Sequence, residues 1–505
     1  MRYGFAIDQR TCIGCHACTV ACKTEHRVPV GQFRTWLKYV DKGEYPSTTR
    51  DFGVMRCNHC TDAPCVKVCP TQSLFKRDDG IVDFDGDRCI GCKACMQACP
   101  YDAIYIDADT HTAAKCNFCA HRIDQGLEPA CVVVCPTESI WVGDLDNPGS
   151  AISQLVSTHD TAVRAPEQNT GPNVFYLGAD RAVLEPLDAP PDGTYLWSEP
   201  DAHRLEVASD LSVDPTTGAR TTLNTAHPRP WGWRVTTYLW TKAFGAGALM
   251  LAALALALGV NLGSMGTVAA PALALVGTAV TGVLLIWDLK RPERFLYIFL
   301  KPNPTSWLFW GSVILAVYAA LASLWLLAGL SGQTSLIAVI AAPTALAGLM
   351  TAAYTGLLFG QAEGRDLWQS PLLFWHLVVQ AVMVGAGAMI LCLPLVNVSV
   401  SGQQLLARAL VIGTVAHLAM LLVEYAGQHS TRGAAAAARM ITHGRYAPTF
   451  WWGAVAVAVV AAVSATLDWS SPVSGFAYLA AVLVQPALLA YESVFVRAGQ
   501  DVPLS

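Results

Sequence analysis

Cys89-Ile90-Gly91-Cys92-Lys93-Ala94-Cys95-Met96-Gln97-Ala98-Cys99-Pro100 is the stretch on which the first third of the chain turns. Two residues separate each of the first three cysteines, three precede the fourth, and a proline follows it. That spacing wraps a polypeptide around a cubane [4Fe–4S] cluster. The first three thiolates bind one cluster and the fourth ligates a neighbour, so a second cluster with ligands elsewhere in the chain is predicted.

Those ligands are present on both sides. Cys57, Cys60, Cys65 and Cys69 precede the run, Cys12, Cys15, Cys18 and Cys22 open the chain, and Cys116, Cys119, Cys131 and Cys135 follow. Prolines 70, 100 and 136 follow three of the four closing cysteines, whereas Cys22 is followed by Lys23. This is an internal repeat of a ferredoxin-like unit. In the third copy, residues 80–84 and 103–106 read as short strands flanking the cysteines. Units this small have little apolar core, so their clusters must supply much of the folding energy. Zinc is the competing reading of the CxxC pairs, but zinc wants isolated tetrads and does not explain the CxxCxxCxxxCP form. Disulfides are a poor fit to four sets at cluster spacing. Residues 1–5 lead into the first set without an apolar leader or a twin arginine, so no signal peptide is expected.

These motifs resemble the four-cluster iron–sulfur subunit of molybdenum or tungsten bis-pterin oxidoreductases, the group that includes dimethyl sulfoxide reductase, polysulfide reductase and formate dehydrogenase. The resemblance covers residues 1–178 and includes Pro172-Asn173-Val174-Phe175-Tyr176-Leu177-Gly178, similar to the segment closing that domain. It implies that the first and fourth sets pair, as do the second and third. Four [4Fe–4S] clusters would then be held by Cys12/Cys15/Cys18 with Cys135, Cys116/Cys119/Cys131 with Cys22, Cys57/Cys60/Cys65 with Cys99, and Cys89/Cys92/Cys95 with Cys69.

The rest of the chain is of another kind. Of 33 Lys/Arg and 38 Asp/Glu, 21 and 30 fall in residues 1–230, leaving 12 and 8 for residues 231–505. The first part is acidic and polar, the second apolar and mildly basic, and no basic–aromatic pattern suggests a nucleic acid partner. Residues 179–230, rich in Pro, Asp, Thr and Gly, read as a linker that ends in His227-Pro228-Arg229-Pro230. Beyond it lie eight apolar runs near 238–260, 269–287, 307–329, 335–358, 372–396, 405–426, 451–468 and 475–496. Each can cross a ~30 Å hydrocarbon core at ~1.5 Å per residue. Trp231, Trp233, Trp240, Trp307, Trp310, Trp451, Trp452 and Trp469 near their ends suit an aromatic belt. A single buried helical core would not explain eight such runs. Cys392, outside the sets, reads as a small buried apolar residue.

Basic residues (Lys290, Arg291, Arg294, Lys301, Arg365, Arg432, Arg439, Arg445, Arg497) mark the loops on the side of the cysteine-rich domain, with Arg408 the nearest exception opposite. The positive-inside rule puts that domain on the cytoplasmic face of the inner membrane. Two alternatives stand: the loops could be basic for docking to the acidic domain, or the domain could lie on the periplasmic side after export with a twin-arginine partner. Polar groups inside the spans (Tyr238, Lys242, Asp288, Tyr354, His376, Gln380, Glu424, Tyr425, Tyr491, Glu492) crowd the cluster-facing half. Ionisable groups at membrane depth are costly and mark sites or pathways. Snorkelling of Lys242 and a salt bridge from Asp288 to Arg291 or Arg294 are the bland alternatives. The asymmetry fits quinone chemistry, which needs hydrogen-bond donors, proton carriers and a nearby cluster. The expected quinone or menaquinone contacts are Tyr238, Lys242, Asp288, Arg294, Tyr354 and His376. His417 and Glu424, seven apart on one helical face, would begin a proton path.

Trp287-Asp288-Leu289-Lys290-Arg291-Pro292-Glu293-Arg294-Phe295, then Lys301-Pro302-Asn303-Pro304-Thr305-Ser306-Trp307, resembles the signature loop of NrfD-type polysulfide-reductase membrane anchors. Tyr354-Thr355-Gly356-Leu357-Leu358 and the closing residues 497–505 agree, and the resemblance spans 231–505. It implies eight helices, no haem and a quinone site beside the iron–sulfur domain, although Thr241-Lys242 departs from the family's first-helix pattern. His376 near the boundary and His417 near mid-membrane lie at different depths, which argues against a bis-histidine haem.

The fold expected is therefore α+β ferredoxin-like repeats binding iron–sulfur clusters over residues 1–178, a linker over 179–230, and an all-α transmembrane bundle of eight helices over 231–505. The function expected is electron transfer between a separate molybdenum or tungsten bis-pterin catalytic subunit and membrane quinone. The alternative is a passive anchor or ion-translocating partner with no quinone site.

Overall fold

Proline placement shapes the cysteine-rich domain. In the computed structural model, which describes residues 1–197, 210–211, 218–225 and 229–505, short helices follow each cysteine loop. Helices Pro64–Val68 and Ala94–Ala98 stop at Cys69 and Cys99, whose backbones turn extended. The prolines that follow disfavour helical backbone at the residue before them and cannot continue a helix. Where Lys23 replaces proline, helix Ala17–His26 runs on past Cys22, and the Lys23 ammonium closes the turn on the carbonyls of Pro29 (2.8 Å) and Gln32 (2.5 Å).

The domain closes on itself through its first strand. Tyr3–Asp8 pairs parallel with Val174–Leu177 and antiparallel with Ile140–Asp144. The segment 172–178 thus fastens the end of the domain to its beginning. Small hairpins, Leu74–Lys76 with Val82–Phe84 and Ile104–Ile106 with Ala113–Lys115, flank the inner cysteine sets.

The segment read as linker contributes structure. Pro191–Trp197 and Arg220–Asn224 join the long hairpin Thr35–Glu44/Ser47–Arg56 in a four-stranded sheet. Thr222 and Leu223 alternate weakly, and the ladder shifts register between Thr221 and Leu223, so no clean period-2 pattern advertises the strand. Residues 198–209, 212–217 and 226–228, including His227 and Pro228, lie outside the described residues.

Among the described residues eight helices are long and apolar enough to cross a membrane: Trp233–Ala257, Met265–Asp288, Trp307–Leu330, Thr334–Gly360, Leu373–Leu395, Val400–Ala426, Thr449–Thr466 and Gly475–Asp501. The first is the most enclosed, packing against the second, fourth, fifth and eighth. Glycine permits its closest crossing: a Cβ on Gly385 would fall 2.6 Å from the carbonyl carbon of Gly247. Small residues let membrane helices approach in this way. Trp233, Trp310, Trp451, Trp452 and Trp469 are exposed, as a belt requires, but Trp231 is buried.

Candidate functional site

The repeat reappears in the backbone. Residues Gly14, His59, Gly91 and Phe118, each just before the second cysteine of its set, are all left-handed (φ +68°, +43°, +68° and +64°). Gln72, Asp102 and Glu138, each three past a closing cysteine, are left-handed as well. Such turns aim successive amides and thiols inward.

The turns gather sixteen thiols into four quartets. Cys12, Cys15, Cys18 and Cys135 line one cavity, and Cys57, Cys60, Cys65 and Cys99 another. Cys22 faces Cys116, Cys119 and Cys131. Cys69 faces Cys89, Cys92 and Cys95. None forms a disulfide. Burial pushes the thiols of Cys60, Cys92 and Cys119 up to about 12, so only a bound cation would keep them ionised at neutral pH. Cys135 is the exception: burial raises it, but amide and hydroxyl donors from Ser139 and Thr137 outweigh that. Amides of Gly91 and Ala113 (3.4 Å each) point at the Cys89 sulfur, that of Ser139 (3.3 Å) at Cys135, and a ring nitrogen of His26 (3.1 Å) lies against Cys119. Four sulfurs around a cavity, with donors aimed at them, fit the body of a cubane cluster. Among the described residues no three His, Cys, Asp or Glu side chains are gathered tightly enough for a single metal ion.

The loop 287–307 grips the third and second sets. The amides of Lys290 and Arg291 donate to the carbonyls of Gly91 and Ile90 (3.2 Å each). Gly91 admits this approach, since a Cβ there would sit 3.0 Å from the Lys290 nitrogen. Arg294 donates to the carbonyls of Gly86 (2.7 Å) and Cys89 (3.2 Å), and Asn303 to that of Cys69 (2.7 Å). Asp288 does not pair with Arg291 or Arg294; its partners are Lys93 (2.6 Å) and Arg234 (3.8 Å). Arg291 turns to Glu293, and Arg294 is held by the carbonyls. Burial pulls the Lys93 ammonium below its usual range against the opposing effect of Asp288. Arg365 donates to Gln97, which donates to Gln500. The quartet of Cys89, Cys92, Cys95 and Cys69 is thus gripped by the membrane domain at Gly91, Cys89 and Cys69.

Behind this seam lies a buried polar chain. Tyr238 and Lys242 share one face of the first span; the Lys242 ammonium donates to the hydroxyl of Thr355 and sits 4.5 Å from the centre of the Tyr354 ring. Glu492 of the eighth span faces Lys242, Gln380 and Glu424. Glu424 lies 3.5 Å from His376, whose other ring nitrogen is 2.7 Å from His417. His376 and His417 therefore stand at one depth. The fifth span follows a turn, Asp366–Gln369, whose Leu367 and Trp368 are buried, and Leu373 and His376 at its start are buried too. The difference in depth on which the argument against a bis-histidine haem rests is therefore absent. Among the described residues, Gln380 Nε2, Glu424 Oε1 and the hydroxyls of Tyr425 and Tyr491 are buried without a partner within 3.5 Å.

The sequence groups His376 with the quinone contacts and sets His417 and Glu424 apart. The structure puts all three together, with Glu492 facing Glu424 and Gln380 on one side and Lys242 on the other. Trp231, in the sequence only a belt residue, does more. It donates to the Cys92 carbonyl (3.3 Å) and stacks on Phe359 and Trp368. Phe495 and Tyr491 continue the row to the histidines. The place of Trp231 directly after a proline-rich segment is the one signal the sequence offers for this. Cys392, by contrast, is only half-buried.

Comparison with known proteins agrees with both halves. Residues 49–145 match the 4Fe-4S dicluster domain and residues 221–502 match the family "Polysulphide reductase, NrfD". A tetrathionate reductase subunit of Salmonella typhimurium is 46% identical over 190 residues, 37% of this chain and 76% of that protein. A polysulfide reductase subunit of Wolinella succinogenes is 38% identical over 187 residues, 36% of this chain and 98% of its own. The arsenate respiratory reductase iron-sulfur subunit ArrB of Shewanella sp. is 37% identical over 225 residues, 35% of this chain and 96% of its own.

Proposed function

We propose that this chain, which belongs to the polysulphide reductase NrfD family and joins its membrane domain to a 4Fe-4S dicluster domain, exchanges electrons between a separate catalytic subunit and membrane quinone. The sixteen cysteines would hold four [4Fe–4S] clusters in the quartets described above, over a domain spanning 1–178. When bound, the clusters supply one-electron transfer. The catalytic partner is a molybdenum or tungsten bis-pterin enzyme, as the resemblance of the cysteine motifs implies. It docks where Cys15 and its neighbours Ile13 and Val20 reach the surface.

The observation that carries the reading is the seam. Loop 287–307 holds the peptide carbonyls of Gly91, Cys89 and Cys69 against membrane helices, and buried Lys242, Thr355, Tyr354 and Tyr238 lie just behind. Lys242 and Tyr238 would donate hydrogen bonds to quinone carbonyls, and the apolar walls exclude water. Reduction of quinone takes two electrons and two protons; the chain Glu492, Glu424, His376 and His417 moves the protons. Asp288 and Arg294 fix the loop to the cluster domain. The same chain of acids and histidines favours ion translocation as the second reading, should quinone not bind.

The cluster domain is placed on the cytoplasmic face of the inner membrane. Setting aside Arg294 and Arg365, which are engaged in docking, exposed Lys290, Lys301, Arg439 and Arg497 still mark that side. The test is quinone-analogue binding to the purified complex. An analogue that shifts the cluster spectrum or blocks quinone turnover supports the site; no shift and no block would refute it.

A further inference from the structure

Two cations lie buried between the quartets without a carboxylate to answer them. Arg56 is wholly buried (0% exposed). One guanidinium nitrogen donates to the Cys131 sulfur (3.3 Å), and the charge also faces Cys116 and Cys18. Cys18 belongs to the quartet of Cys12, Cys15 and Cys135, whereas Cys131 and Cys116 belong to that of Cys22 and Cys119. Arg56 therefore touches one quartet at Cys131 and turns its charge toward the other at Cys18. Its remaining Nε and Nη2 are buried with no hydrogen-bond partner among the described residues, and its guanidinium carbon rests 4.3 Å from the centre of the Phe5 ring.

Lys115 repeats the arrangement one junction further on. It too is 0% exposed. Its ammonium donates to the carbonyls of Val82 and Cys116 (3.0 Å for the latter) and faces Cys65 of the next quartet. Among the described residues neither cation forms a salt bridge with an acid. An unpaired buried charge is expensive, and proteins tolerate one only where an opposite charge is supplied. The seam shows the contrast: Lys93, beside Cys92, is matched by Asp288. At the two inner junctions, among the described residues, the cations face cysteine sulfurs and carbonyls and no acid pairs with them.

We infer that Arg56 and Lys115 are charge-compensating residues, each shared by two successive quartets, and that they raise the midpoint potentials of the clusters bound there. This rests on the four-cluster reading. An added electron makes a cluster more negative, so a fixed buried cation stabilises the reduced form. The membrane-facing quartet, whose cation is neutralised by Asp288, lacks that help. The direction of the resulting gradient keeps electrons in the interior of the wire.

The test is an EPR redox titration of the purified complex carrying Arg56→Gln, Arg56→Lys or Lys115→Gln, with iron and sulfide content measured on each. Arg56→Gln should lower the ratio of reduced to oxidised cluster at fixed potential at least tenfold for the signals of its two quartets, equal to about 59 mV for a one-electron couple. Arg56→Lys should restore the wild-type values, and Lys115→Gln should shift the next pair. Unmoved potentials with full cluster content would overturn this inference alone. If Arg56→Gln loses clusters but Arg56→Lys keeps them at wild-type potentials, charge is what the site requires and the inference stands. If both lose them, the side chain serves shape and the inference fails. A wild-type chain with fewer than four clusters would overturn the four-cluster reading itself.

Discussion

Replacing Asp288 with asparagine should loosen the cluster domain from the membrane helices. The Lys93 and Asp288 side chains are only 5% and 13% exposed, so their 2.6 Å contact is a buried ion pair. Removing one partner leaves the other charge buried and unmatched, which costs about 3–5 kcal/mol. Arg234, at 3.8 Å, is too far to hold the new amide in place of the lost charge and would add to the repulsion on Lys93. The amides of Lys290 and Arg291 donate across this seam to Gly91 and Ile90, so their hydrogen exchange reports its opening. At about 1.4 kcal/mol per tenfold, their exchange in detergent-solubilised protein should accelerate by roughly two to four orders of magnitude. The double variant Lys93→Gln/Asp288→Asn removes both charges and should recover most of the protection, because a neutral pair carries no desolvation penalty. Exchange in Asp288→Asn equal to wild type would refute the reasoning. So would a double variant as loose as the single.

Lys242→Met and Tyr238→Phe should each reduce quinone-dependent turnover about 10²-fold while iron content stays intact, within the range expected for a lost hydrogen-bond donor to the reacting oxygen; steady-state rates with EPR of the reduced protein check this. Cys99→Ala and Cys60→Ala should abolish one and the same EPR signal, while Cys69→Ala removes a different one, because each quartet draws its fourth thiol from another set. Gly385→Ala should destabilise the bundle by about 1–3 kcal/mol, the usual cost of overpacking, since its new Cβ meets the first span's backbone at Gly247; thermal unfolding in detergent measures it. Removing iron with a chelator under reducing conditions should collapse the near-UV signal of the cysteine-rich domain and leave the membrane helices' far-UV signal in place, as units with so little apolar core depend on what their thiols bind for much of their folding energy.

What the sequence makes legible is what repeats or persists along the chain. Cysteine spacing recurs four times, and apolar runs extend about as far as a bilayer is thick, so both survive without tertiary information. The spans read from the sequence lie within a few residues of the helices, yet the first begins at Trp233 and the last continues to Asp501, because their ends leave the hydrocarbon and enter the seam. Pairings across hundreds of residues carry no local trace. Asp288 meets Lys93, not the arginines beside it, since those arginines are turned toward Glu293 and the carbonyls of the third set. His376 and His417 look unequal in depth when depth is counted from the ends of apolar runs, and the buried turn at 366–369 shifts that origin. The strand at Arg220–Asn224 is hidden because a register shift breaks its alternation. Arg56 and Lys115 give no signal, as an isolated basic residue between cysteine sets reads as solvated surface.

Transfer of electrons from the clusters to a quinone held by Lys242 is the central claim, and anaerobic reoxidation tests it most directly. The purified chain, reduced with dithionite, freed of excess reductant and placed in liposomes with a long-chain menaquinone, should regain its oxidised absorbance in a saturable reaction that Lys242→Met suppresses about 10²-fold. Reoxidation that is absent in the wild type, or equally fast in wild type and variant, would contradict it.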